Sequence, residues 1–250
     1  MKIAAKVQYF GMNYKGFQRQ AKGNTVQGEL EKSLSTIAGE EVKIHGAGRT
    51  DLLVSAVGQV ISFDFPKPIK DFKDFLFHWN MVLPLDIAVD DMVEVPASFD
   101  ARHSCMGKRY RYCFSLGKKM PLQYGTVAYL GVRSFDFDAF KQALNLFLGE
   151  HNFHNFTTKK MDKDGYIRNI HSIEAKFENG IYCVDFESNG FMTYQIRFMV
   201  GSALKVAFGK MTLDRIKEAL DNPNRAILPF KAPGEGLCLM EVLYAEHLFA

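Results

Sequence analysis

Hydrophobic and polar positions alternate from the first residues of the chain. Ile3, Ala5, Val7 and Tyr9 fall on one face of residues 2–10, the period of a half-buried strand. The period then lengthens. In GNTVQGELEKSLSTIAGE, Val26, Leu30, Leu34, Ile37 and Ala38 form a helical stripe. Asn24 with Gln27 has the spacing of a capping box, and Gly39 stops the run. Two short strands are predicted near 42–46 and 58–65. A second helix carries Phe72, Phe75, Leu76 and Trp79, and DIAVDDMVEV reads as another strand. The order is β-α-β-β-α-β.

The same order returns further on. KRYRYCFSL alternates, with Tyr110, Tyr112, Phe114 and Leu116 on one face and Arg109 and Arg111 on the other. DFDAFKQALNLFLG carries the stripe Phe140, Leu144, Phe147 and Leu148. HSIEAKFENGIYCVDFES is a hairpin, because Asn179-Gly180 supplies the two positive-φ residues of a tight turn. YQIRFMVGSALKVAFGK is a helix with Ile196, Met199, Val200, Ala203, Leu204 and Ala207 inward. A helix near 213–221 and a strand in LCLMEVLYA complete the pattern. Two such units in tandem predict an α+β fold of two ferredoxin-like halves, residues 1–105 and 106–250. No low-complexity segment or long linker parts them, so their strands are expected to share one mixed, mostly antiparallel sheet, with helices on one face and a central cleft.

Composition changes this picture little. The 250 residues are 47% hydrophobic and 24% charged, ordinary for a globular protein with ample core. No apolar run approaches the length of a membrane span, and the N-terminus lacks the form of a signal peptide. Cys105, Cys113, Cys183 and Cys238 show no C-x-x-C spacing, so four reduced thiols in a cytoplasmic protein are expected. His45, His103, His151 and His154 form no ligand spacing, and no metal site is expected.

Charge matters through its clustering, since the net charge is only +3. Arg102, Lys108, Arg109 and Arg111 interleave with Tyr110 and Tyr112, and Lys118 and Lys119 follow. Lys159, Lys160, Lys163 and Arg168 surround one loop, and Lys15, Arg19 and Lys22 lie in another. Cations for phosphates and rings for unstacked bases suit RNA recognition. Solvated strand and loop faces would give the same clusters, and both readings stay open.

One stretch departs from both patterns. GAGRTDLLVSAVGQV sets Arg49 and Asp51 directly against Leu52, Leu53 and Val54. A surface turn has no need of the apolar run, and a core strand excludes the two charges. An aspartate, with a reference pKa of about 3.9, is anionic at neutral pH and attacks carbon without a base to activate it. A turn residue or an ordinary ion pair is the plainer account.

The blocks together resemble the TruA family of tRNA pseudouridine synthases. The likeness rests on YFGMNYKGFQRQ, NTVQGELEKSL, GRTD, FDARHSCMGKRYRY, NGFMTYQIRFMVG and APGEGLCLMEV, in that order. It implies isomerisation of uridine to pseudouridine on the 3′ side of the tRNA anticodon stem-loop, without cofactor or metal, by a homodimer. It implies Asp51 as nucleophile, Tyr110 against the target base, Arg197 as the partner of Asp51, and Arg49 in extruding the nucleotide. Extrusion costs a few kcal/mol, and stacking on a ring returns roughly 1–3 kcal/mol. Thr50, Lys108, Arg109, Arg111 and Arg168 complete the expected RNA-contacting set, while Tyr112 is expected to pack in the core.

The chain also departs from the family pattern. Leu53 stands where glycine is usual, and a positive φ there would strain the loop beside Asp51. Ser55 and Gln195 stand where histidines are common, and Phe17 replaces a usual tryptophan. An active, divergent enzyme is expected. A tRNA-binding protein or folding chaperone without catalysis is the second reading, with salt-dependent binding and no isomerisation.

Overall fold

Strand β1 (Lys2–Tyr9) buries the alternating set Ile3, Ala5, Val7 and Tyr9, and Ala4 on the opposite face is buried too. Its position explains this double burial: β1 pairs antiparallel with β3 (Ser55–Asp64) on one side and β4 (Ile87–Glu94) on the other. In the computed structural model of the chain, residues 1–132, 134–160, 163–223 and 230–249 are described. The chain divides into two units, Met1–Gly107 with Cys238–Ala250, and Lys108–Leu237.

The first unit begins in the order β-α-β-β-α-β. Helix α1 (Val26–Ala38) ends at Gly39 in the left-handed region, with φ 78°. Its cap is Thr25 rather than the expected Asn24, the Thr25 hydroxyl accepting from the Gly28 N–H at 3.3 Å. Gln27 is used elsewhere: its amide donates to Glu31 and to the Ile44 carbonyl of β2 (Ile44–Gly46). Helix α2 (Phe72–Val82) is capped by Asp71 and buries Trp79, whose indole N–H donates to Ser33 of α1 at 2.8 Å. Only Trp79 of the expected α2 stripe is fully buried, while Phe77 and Met81 are exposed.

The last strand corrects the expected division of the chain. β10 (Leu237–Leu243) pairs parallel with β3 through Cys238↔Ser55 and Leu239↔Ala56, so the C-terminal segment belongs to the first unit. Period identifies a strand but not its partner. The pairing sets β10 beside the residues that directly follow the Asp51 turn.

In the second unit β5 (Gly107–Leu116) pairs antiparallel with β9 (Ile181–Ser188), β9 with β8 (Ile167–Glu178), and β8 with β7 (Gly149–Asn152). A short β6 (Ala128–Leu130) lies parallel to β5. The β8–β9 hairpin turns at Asn179 and Gly180, with φ 52° and 82°. Helix α3 (Phe137–Asn145) packs on α4 (Gln195–Ala207), and α5 (Leu213–Asp221) follows. The α4 stripe is buried as expected. Pairing is mostly antiparallel, and the architecture is α+β with five α-helices among the described residues.

The expectation of four free thiols is also corrected. Cys113 of β5 and Cys183 of β9 are opposite each other in register, their Cα atoms 4.2 Å apart, and form a disulfide. Cys105 and Cys238 are free. The bonded pair is 70 residues apart in sequence and is brought together only by strand register, which spacing does not reveal.

Candidate active site

The candidate residues fall into two groups, one on each unit. In the first unit, residues 47–54 join β2 to β3 and are tied down along their length. The Ala47 N–H donates to the Val60 carbonyl at 2.8 Å. The Gln59 side-chain amide donates to the Gly48 carbonyl at 2.9 Å. The Thr50 carbonyl accepts from the Phe17 N–H at 3.1 Å, and the Thr50 hydroxyl lies 2.8 Å from that of Tyr9. The Val54 N–H returns to the Asp51 carbonyl at 3.1 Å, closing a four-residue turn. Ser55 then accepts from the Gly11 N–H at 2.9 Å.

This frame presents Arg49 exposed and Asp51 half-buried. The aliphatic run does not act as a block. Val54 enters the core, Leu52 is 52% exposed, and Leu53 lies between them. Leu53 is the third residue of the turn and has φ 69°. That is the type II pattern, which favours glycine or asparagine, and the left-handed region costs an L-residue about 1–2 kcal/mol. The strain anticipated at Leu53 is therefore present. Two glycines admit the segment that braces the turn. A Cβ on Gly11 would lie 2.3 Å from the Val54 carbonyl oxygen, and one on Gly16 would lie 2.8 Å from that of Thr50.

In the second unit, Tyr110 is 7% exposed and meets Phe191 edge to face, ring centres 5.4 Å apart. Tyr112 is wholly buried and donates to the Pro233 carbonyl at 3.0 Å, which agrees with core packing. Burial, helped by Glu235, pushes its hydroxyl pKa far up, with Arg197 acting in the opposite sense. Arg197 sits in the first turn of α4 and is half-buried. Its Nε donates to the Ala232 carbonyl at 2.8 Å, and its own carbonyl accepts from the Ala232 N–H at 2.9 Å. Its guanidinium carbon lies 5.3 Å from the centre of the Tyr194 ring, and Lys231 Nζ lies 3.6 Å from the same centre. Tyr194, at φ 63°, caps α4, and sequence reasoning had given it no role.

The remaining basic candidates divide by their partners. Arg109 donates to Glu187 at 2.8 Å, and Arg111 holds both oxygens of Asp185 at 2.7 and 2.9 Å. Arg168 is half-buried and donates to the carbonyls of Gly165 and Ile167; burial lowers its pKa. Lys108 is half-buried, and Arg102, Lys118, Lys119, Lys159 and Lys160 are exposed. The side chain of Lys163 lies outside the described residues. Arg19 pairs with Glu31 at 3.0 Å. Among the described residues, no three His, Cys, Asp or Glu side chains gather as a metal site.

The model of the tRNA pseudouridine synthase family matches residues 5–104 and 143–245. The chain belongs to the tRNA pseudouridine synthase family. It is 37% identical to the tRNA pseudouridine synthase A of Anoxybacillus flavithermus over 97% of this chain and 98% of that one. It is 38% identical to that of Mannheimia succiniciproducens over 99% and 94% of the two chains, and 36% identical to that of Streptococcus mutans over 98% and 100%. GRTD, residues 48–51, leads into the braced turn of the first unit. Of the residues that brace it, the sequence marks Tyr9 only as a strand residue and Phe17 only as a replacement for tryptophan, and it gives Gly11 no role. Their signal was the likeness of YFGMNYKGFQRQ to the family's opening block, which marked a segment without saying what it touches.

Proposed function

We propose that Asp51 is the nucleophile with which this member of the tRNA pseudouridine synthase family isomerises uridine in tRNA to pseudouridine. The observation that carries the assignment is the turn itself: a half-buried carboxylate on a backbone tied to the core at Thr50, Val54 and Ser55. Such a support fixes a reacting group in place, and a misplacement of about 1 Å can cost on the order of 10²-fold in rate.

The reaction balances without a cofactor. The bond from N1 of uracil to C1′ of ribose breaks, the base turns, and C5 bonds to C1′. The proton on C5 is lost, and N1 gains one. An Asp51 oxygen serves as nucleophile toward C1′ or C6, and is released when the new carbon–carbon bond is complete. In this reading Arg197 pairs with Asp51, because a half-buried carboxylate needs a cation close by. The anchoring of Arg197 on Ala232 supports a fixed orientation for the rest of its fork. Tyr110 stacks on the target base, with Phe191 holding its ring. Exposed Arg49 assists extrusion from the anticodon arm.

Of the wider RNA-contacting set, exposure supports Arg49, and Lys108 is retained; Lys159 and Lys160, outside that set and exposed, are added to it. The carboxylate partners of Arg109 and Arg111 and the backbone partners of Arg168 weigh against those three as phosphate ligands. The buried Thr50 hydroxyl weighs against a direct RNA contact there. The reading further includes a cytoplasmic homodimer of chains whose units are each ferredoxin-like. No helix of the described residues is long and apolar enough to cross a membrane.

Tritium release from tRNA labelled at uridine C5 tests the assignment. Release by the natural chain and none by Asp51→Asn supports it. Binding of tRNA with no release by either would make the chain a tRNA-binding protein instead.

A further inference from the structure

Tyr9 is buried, yet its hydroxyl is used. It lies at the end of β1, 4% exposed, and meets the hydroxyl of Thr50, itself 6% exposed, at 2.8 Å. Burial pushes the Tyr9 pKa far up, outweighing hydrogen bonding to Thr50 and Gln59. The group therefore stays protonated and serves as a hydrogen-bonding post, not as a base. It is also held in place. Its ring lies against Phe17, centres 6.1 Å apart, and the Phe17 N–H binds the Thr50 carbonyl at 3.1 Å. Thr50 is thus gripped by side chain and by backbone, from one segment, in the residue directly before Asp51. Gln59 grips the Gly48 carbonyl from the strand side.

We propose that Tyr9 is a positioning residue for Asp51, acting through the buried Tyr9–Thr50 hydrogen bond. The hydroxyl oxygen is only two bonds from the Thr50 Cα, so a held hydroxyl restrains the Thr50 backbone, and with it the direction in which the next residue leaves. The turn needs such a post because Leu53 holds it in a conformation that leucine disfavours. Without the post, the strain has a route to relax through residues 50 and 51. The proposal rests on the reading of Asp51 as nucleophile.

Single-turnover tritium release, tRNA binding and thermal melting are measured for the natural chain, Asp51→Asn, Tyr9→Phe, Thr50→Ser, Thr50→Val and the double variant Tyr9→Phe/Thr50→Val. Tyr9→Phe keeps the ring and is expected to lower the catalytic rate about tenfold with tRNA affinity unchanged. Thr50→Ser keeps the hydroxyl and retains near-natural rate, whereas Thr50→Val matches Tyr9→Phe. The double variant loses no more than either single variant, because both remove one bond. A residue that merely supports the fold would lower the melting temperature and leave the rate of the folded protein intact. That result, or additive losses in the double variant, overturns the proposal. No release by the natural chain would instead strike down the reading of Asp51 and the activity with it.

Discussion

The loop at Asp51 and strand β5 carry related sequence patterns, arginines set among aliphatic or aromatic residues, and the fold treats them in opposite ways. On β5 the register supplies each arginine with an acid: Arg109 faces Glu187 and Arg111 faces Asp185 across the β5–β9 ladder. The charges are matched and the strand's inner face, Tyr112 and Phe114, is core. In the loop no ladder exists. Polar groups are satisfied one by one, the Gly48 and Thr50 carbonyls by Gln59 and Phe17 and the Thr50 and Ser55 hydroxyls by Tyr9 and Gly11, and that frame holds Arg49 exposed and Asp51 half-buried. A cluster of cations in sequence is therefore a weak sign of function where strand pairing can answer it. A charge in a braced, strained turn is a stronger one.

After Asp51 itself, the largest expected effect falls on Arg197, the cation proposed above as its partner. Arg197→Lys gives up the planar fork anchored at Ala232. Its single-turnover rate is expected to fall about 10²-fold with tRNA affinity retained. A variant with natural rate would return Arg197 to the class of β5's arginines. Next comes the brace. Gly11→Ala places a methyl against the Val54 carbonyl, and is expected to destabilise the chain by about 1–3 kcal/mol, read as a lowered melting temperature.

Salt dependence sharpens the comparison at the surface. Lys159→Ala is expected to reduce the salt slope of tRNA binding by about 1. Removing a matched pair together, Arg111→Ala with Asp185→Ala, is expected to leave the slope unchanged; a drop as large as that for Lys159→Ala would make Arg111 a phosphate ligand after all. The smallest effect belongs to the strained residue. Leu53→Gly relieves the positive φ and is expected to stabilise by about 0.5–1 kcal/mol in chemical denaturation. A loss of stability would mean that the leucine side chain, half-buried, contributes more than its backbone costs.

The sequence made local structure legible and left long-range pairing hidden. Asn179-Gly180 marked its hairpin because the turn's φ requirement is written in two adjacent residues. Gly39 marked the end of α1 for the same reason. The Asn24 cap failed because Thr25, the next residue, offers the same chemistry one position later. The return of β10 to β3 and the Cys113–Cys183 bond both depend on which strands meet, and neither periodicity nor spacing carries that information. At the candidate site, the GRTD block and the strain at Leu53 were legible. The matching of Arg109 and Arg111 was not, since Glu187 and Asp185 lie on a strand more than seventy residues away. Nor was the brace from Tyr9, because a buried tyrosine at the end of a strand reads as core until its hydroxyl has a partner.

The central claim is that the carboxylate of Asp51 acts on uridine, and C5 tritium release under single-turnover conditions tests it most directly. The natural chain is expected to release tritium from anticodon-arm uridines. Asp51→Asn, which keeps the turn and its hydrogen bonds, is expected to bind the same tRNA and release at least about 10³-fold more slowly. Release by Asp51→Asn at the natural rate would contradict the account.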